Sequence, residues 1–261
     1  MPNRPNVDAA DWRHVQPRIP DTPQRRQLER QRSVRNFVFG AKDGILTTMG
    51  ILTGIGIASG GRLTVIISGL LALIAGALSM GVGEYQGSKS EREVVQASVD
   101  VERGEMEAHP QEEFAEQVAY YKVKGFSSEE AQMIVTRLTK NPEIYLYEMM
   151  RDEFGIDPRV AEQSGLFPAF AMAGSYALGS VIPIVPYFVG VPLAHAVFAS
   201  GIFALCGLFG IGAVAGRMGG RNPWLRGLEI AMYGTVVFVI SFLAGHYIPP
   251  LFGYTPMGLG G

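Results

Sequence analysis

Two sets of side chains in this sequence have types and spacings suited to holding a divalent cation. The first is sparse and lies in apolar surroundings: Asp43, then Met80 and Glu84. An ionised carboxylate in hydrocarbon costs several kcal/mol, so such a residue ordinarily faces a cavity or a partner. The plainer reading pairs Asp43 with adjacent Lys42, although consecutive residues on a helix do not face each other and pair poorly. Met80 and Glu84 are four apart and share a helix face. A thioether beside a carboxylate suits a borderline-soft divalent ion better than Mg2+ or Ca2+, which take oxygen ligands. The plain alternative makes Met80 ordinary packing and leaves Glu84 at an interface.

The second set is dense. Glu102 and Glu105 are three apart, as are Glu113 and Glu116, and Pro110 between the pairs lets two helices fold side by side. Four converging carboxylates make a hard-oxygen cage, the principle of carboxylate iron sites in helix bundles. Met149 and Glu153, again four apart, can join it. The competing reading is a solvated acidic surface. Against it, solvated helices usually interleave Lys at i+4, and around Glu102 and Glu105 there is Arg103 and little else. The ExxE spacing alone is a weak signal. His109 lies between the Glu pairs as a candidate auxiliary ligand, while His195 and His246 read as structural.

The elements that must position these groups are mostly apolar. The chain is 48% hydrophobic and 18% charged, against about 25% charged in soluble proteins. A formal net charge of −2 with no dominant basic face points away from nucleic acid. The single cysteine, Cys206, excludes an intramolecular disulfide and reads as a small buried apolar residue. Residues 1–35 carry eight Arg and no apolar run; they read as a basic cytosolic arm, disordered or lying on a surface, without a cleavable leader.

Five apolar runs follow, each near the roughly 20 residues that cross a bilayer: Phe37–Ser59, Leu63–Tyr85, Leu166–Val189, Pro192–Ala215 and Leu228–Tyr247. Residues 36–87 thus hold spans one and two, and 163–261 hold spans three to five with a short external tail. Between them, residues 88–162 carry 17 acidic against nine basic residues. Helix signals divide this insert: a helix running on from span two to about Ala108, Pro110 as a first-turn residue, Gly125 as a stop, a Ser127/Glu130 capping box, an Asn141-Pro142 start and a Gly155 stop. Arg25, Arg26, Arg30, Arg32 and Arg35 precede span one, and Arg217, Arg221 and Arg226 lie between spans four and five. The positive-inside rule then places the N-terminus and the insert in the cytosol and the C-terminus outside. Glycine pairs such as Gly40/Gly44, Gly50/Gly54 and Gly212/Gly216 permit close helix contact, and a homodimer across span one would set two Asp43 residues around one axis.

The chain resembles the vacuolar iron transporter family. The resemblance rests on Phe39-Gly40-Ala41-Lys42-Asp43-Gly44, on Ser79-Met80-Gly81-Val82-Gly83-Glu84-Tyr85, on the acidic insert and on Val181-Ile182-Pro183-Ile184-Val185-Pro186, and covers about residues 35–248. It implies a five-span homodimer exchanging Fe2+ for protons, with Asp43 and Met80 lining the ion path. It also implies a cytosolic metal-binding domain with ligands at Glu102, Glu105, Glu113, Glu116, Met149 and Glu153. Some plant and parasite members carry a Glu eight residues before the span-two Met, where this chain has Ala72; Glu84 would take that role one turn nearer the cytosol.

The sequence therefore reads as an all-α integral membrane protein of five transmembrane helices, with a cytosolic helical metal-binding insert between helices two and three. It is read as no enzyme and as needing no resident cofactor; its substrate metal is Fe2+, with Mn2+, Co2+ and Zn2+ as further candidates. Its partners are membrane lipid, divalent metal ions, protons and a second copy. The membrane is a plasma membrane in a bacterium and a vacuolar membrane in a plant or fungus. The rival reading is a membrane-anchored iron buffer or ferroxidase-like protein, in which the insert carries the activity.

Overall fold

The computed structural model describes residues 23–59, 61–158 and 165–253, with side chains from Asn36 onward except that of Ser59. Residues 1–22 of the expected arm, the span-one turn at Gly60, the end of the insert at 159–164 and the tail at 254–261 lie outside this description.

Every regular element among the described residues is helical. In chain order these are α1 (Pro23–Ser59), α2 (Arg62–Ala108), α3 (Pro110–Val123), α4 (Ser128–Leu138), α5 (Pro142–Glu153), α6 (Leu166–Ile184), a short 3-10 turn (Val185–Phe188), α7 (Leu193–Met218) and α8 (Pro223–Leu251). Four are long and apolar enough to cross a membrane: α2, α6 with its 3-10 extension, α7 and α8. The chain is an integral membrane protein on this ground. α1 is not among the four, because Lys42, Asp43, three threonines and several glycines dilute its apolar stretch. α1 also starts at Pro23, well ahead of Phe37, so its helix takes in residues 23–35 of the basic segment. Proline at a first helical position followed by Gln, Arg, Leu and Glu is a good helix-starting sequence.

The chain divides into two compact units. One takes in residues 21–85 and 166–261, the other residues 86–165. In the first, α1 packs on α6, α7 and α8. Gly40 of α1 meets Met172 and Ser175, and Gly44 meets Tyr176 and Ser180. Leu52 and Ile57 share an apolar cluster with Ile184. The numbers rise together, so α1 and α6 run parallel. α2 runs the other way, its Gly69, Gly76 and Gly81 meeting Ile184, Tyr176 and Ala169 in turn. On the α8 side, Gly245 approaches the backbone of Gly54. The Gly40/Gly44 and Gly50/Gly54 pairs are thus occupied by α6 and α8 of the same chain, and Gly212/Gly216 by the start of α8 at Arg226. α6 gives way to the 3-10 turn at Pro183 and Pro186, which cannot donate backbone hydrogen bonds. Ser200 of α7 donates to the buried Pro183 carbonyl at 2.7 Å.

Caps set the insert. His109 ends α2 and Pro110 opens α3, with Glu112 and Glu113 in its first turn, where acidic groups suit the helix dipole. The Ser127 hydroxyl accepts from the Glu130 N–H, and the Glu130 carboxylate accepts from the Ser127 N–H. Asn141 caps α5. Gly125 and Gly155 adopt φ of 100° and 64°, values that glycine takes without strain.

Candidate functional site

In the membrane unit, Asp43 is half-buried on α1. The Lys42 ammonium lies 5.3 Å from the Phe39 ring centroid, turned to an aromatic face. Asp43 makes no ion pair with it or with any other described residue. The group beside Asp43 is Tyr176 of α6, 2% exposed. Its hydroxyl stands among Thr47, Thr48, Ser180 and the Asp43 carboxylate. The same ring lies over Gly76 of α2, where a Cβ would overlap it. Met80 is one turn along α2 from Gly76, and Glu84 one turn further; both are half-buried. No described hydrogen bond or ion pair joins Asp43, Met80 and Glu84 directly. The Thr53 hydroxyl is fully buried without a hydrogen-bond partner among the described residues, so α1 carries an unpaired polar group inside the bundle.

The insert sorts its charges. Arg103 of α2 holds Glu143 of α5 through two contacts at 3.0 and 3.4 Å. Lys124 holds Asp152 at 2.6 Å, and Gln117 donates to the same carboxylate at 2.7 Å. Arg103 and Lys124 are drawn to these partners. None of the ion pairs among the described residues reaches Glu102, Glu105, Glu113, Glu116 or Glu153.

Glu102 is 0% exposed, and neither carboxylate oxygen meets a donor. Burial, then Glu153, Glu113 and Glu105, push its carboxyl up to about 8. Among the described residues, the group placed to share a proton with it is the Glu153 carboxyl. Burial followed by Glu116, Glu105, Glu153 and Glu112 raises Glu113, and burial followed by Glu116 raises Glu153. The five carboxylates from α2, α3 and α5 therefore feel one another, with Glu102 and Glu113 inside and Glu105, Glu116 and Glu153 at the rim. They do not form a closed ligand set: among the described residues no three His, Cys, Asp or Glu side chains stand together as a metal cage. Met149 is fully buried in an apolar cluster with Val135 and Tyr145.

Tyr145 and Tyr176 were not singled out from the sequence. Burial, then Glu113, Glu102 and Glu116, raise the Tyr145 phenol. The signal for Tyr145 was its place one turn before Met149; for Tyr176 it was a phenol within an apolar run. His109 is exposed, 3.9 Å from Glu112. Cys206 is exposed on α7 rather than buried, because the apolar surface of that helix is as hospitable to a thiol as a core is.

The model of the VIT family matches residues 34–246. The chain belongs to the VIT family. The match encloses all nine candidate ligands. Among its relatives is vacuolar iron transporter 1 of Arabidopsis thaliana, 33% identical over 212 residues, covering 80% of this chain and 83% of that protein. Vacuolar iron transporter 1 of Oryza sativa subsp. japonica is 32% identical, covering 80% and 82%. The vacuolar iron transporter of Toxoplasma gondii is 32% identical over 228 residues, covering 84% and 76%. These VIT relatives are named as transporters, not as enzymes.

Proposed function

We propose that this VIT-family chain exports Fe2+, and with it Mn2+, from the cytosol in exchange for protons, with the acidic insert capturing metal for the membrane path. The observation that carries the reading is Asp43: a carboxylate in the membrane unit whose neighbouring lysine is turned away to Phe39. A carboxylate releases metal when protonated, so one group at that position can serve both ions in turn. Met80 offers sulfur on the facing helix, and Glu84 oxygen one turn beyond. In the insert, Glu102, Glu105, Glu113, Glu116 and Glu153 supply a carboxylate field without a paired cation, with Met149 of the adjoining apolar cluster as its sulfur donor.

Five crossings fit the helix directions. α1 runs beside α6 in the same sense and α2 runs against it, so α1 serves as a span shielded by its neighbours despite its polar residues. On this reading the arginines before span one and between spans four and five mark the cytosolic side, by the positive-inside rule. The second copy sits against the membrane unit as a homodimer partner, and lipid covers the remaining apolar faces.

The test is Fe2+ flux into proteoliposomes under an imposed pH gradient. Uptake that follows the gradient and collapses with it is expected. Metal binding without flux would favour the membrane-anchored buffer instead, in which the insert carries the whole activity.

A further inference from the structure

Tyr145 of α5 is 5% exposed, and its hydroxyl has no hydrogen-bond partner among the described residues. A buried hydroxyl without a partner is uncommon and asks for a reason. The ring sits in the apolar cluster with Val135 and Met149, near enough to Glu113, Glu102 and Glu116 for their charges to act on the phenol. Glu102, one of the three, has two buried oxygens that meet no donor among the described residues besides the proton it can share with Glu153. The site thus holds, on different helices, a dry phenol without a partner and a dry carboxyl whose neighbour for a proton is Glu153.

A carboxylate that binds a metal through one oxygen keeps acceptor capacity on the other, and a donor there fixes the orientation of the ligand. Lys or Arg would supply that bond at the expense of the cation, by charge repulsion. Two of the insert's cations, Arg103 and Lys124, are held elsewhere, on Glu143 and Asp152. A phenol is neutral, has a usual pKa near 10, and so carries its proton at pH 7. It can donate to a ligand carboxylate without competing with the ion.

We infer that Tyr145 is a positioning residue of the insert's metal site, its hydroxyl donating to the Glu102 or Glu113 carboxylate and so orienting that ligand toward a bound divalent cation. This rests on the capture role proposed for the insert. It also explains why the phenol is tolerated unpaired: its partner is a carboxylate turned by metal.

The test compares the full-length chain with Tyr145→Phe in detergent, titrated with Mn2+ and followed by the spin resonance of the free ion. Phe keeps the ring and its packing and removes the oxygen alone. The variant should bind Mn2+ roughly 10–100-fold more weakly, the range for an outer-shell partner of a ligand. Without metal its melting temperature should rise, since an unpaired buried hydroxyl is lost. Addition of Mn2+ should shift the near-ultraviolet tyrosine absorption of the wild type, and that shift should be absent from the variant. Equal Mn2+ affinity in the two proteins overturns the inference alone. A fall in metal-free melting temperature alongside the loss of affinity overturns it in favour of a packing role. A visible charge-transfer band with Fe3+ that disappears in Tyr145→Phe overturns the donor role by making the oxygen a ligand. A wild-type chain that binds no Mn2+ at all removes the capture role and this inference together.

Discussion

At the scale of single residues, the environment of each carboxylate decides what it can do. Asp43→Ala should reduce Fe2+ flux by roughly 100-fold or more, because several kcal/mol of charge compensation is lost in a dry path. The protein should still purify as a folded, monodisperse species, since Asp43 ties no described element to another. Normal flux from that variant would remove Asp43 from the route. Glu102 makes a pH prediction. With its carboxyl at about 8 against 4.5 for the free group, the folded chain holds a proton that the unfolded chain has released. Stability of the metal-free protein should therefore fall as pH rises across that interval. Metal affinity should rise over the same interval, because binding displaces the proton. Thermal melting of the metal-free chain and calorimetric titration with Mn2+, each from about pH 5 to 8, check the two signs, and flat profiles would show that Glu102 is ionised before metal arrives. Asp43 and the Glu pairs stand out in the sequence as candidates because carboxylates in apolar runs, or at i, i+3 without cations, are unusual in any chain; Met80 stands out only by sharing a helix face with Glu84. Tyr145 was not legible: in Tyr145-Leu146-Tyr147 nothing local says which phenol meets the glutamates, and that is settled by where α2 and α3 pack. Met149 shows the converse, a candidate donor whose thioether packs among apolar side chains.

At the scale of elements, local signals were readable and long-range ones were not. The Ser127/Glu130 box, the Asn141 cap, Pro110 and the left-handed glycines at 125 and 155 stand where short-range chemistry puts them. The start of α1 and the partners of its glycines do not follow from spacing. Gly44 is the sharpest case. A Cβ there would strike the Tyr176 backbone carbonyl, which cannot move aside without shifting α6. Gly44→Ala should lower stability by about 1–3 kcal/mol through overpacking. Gly83, with nothing within 4 Å, is the control: Gly83→Ala should be neutral or stabilise by about 0.5–1 kcal/mol through helix propensity. Thermal melting in detergent gives the order, and equal melting of the two variants would show that the α1–α6 contact is looser than described.

At the scale of the whole molecule, the prediction is sidedness. A cysteine placed at Ser127 should react with impermeant maleimide from the cytosolic face only, and one at Gly60 or Gly253 from the opposite face only. Labelling of Ser127 from outside would overturn the orientation read from arginine placement. The native cysteine determines how that experiment is built. Cys206 lies near the middle of α7 (Leu193–Met218) on its outer surface, about 20 Å from either end at 1.5 Å per residue. That depth lies within a hydrocarbon layer about 30 Å thick. A charged reagent dissolved in water does not reach a thiol there, whereas an oil-soluble one does. The wild-type chain is thus already a silent background for water-borne thiol chemistry, and its one sulfhydryl is a built-in reporter for probes that travel through lipid.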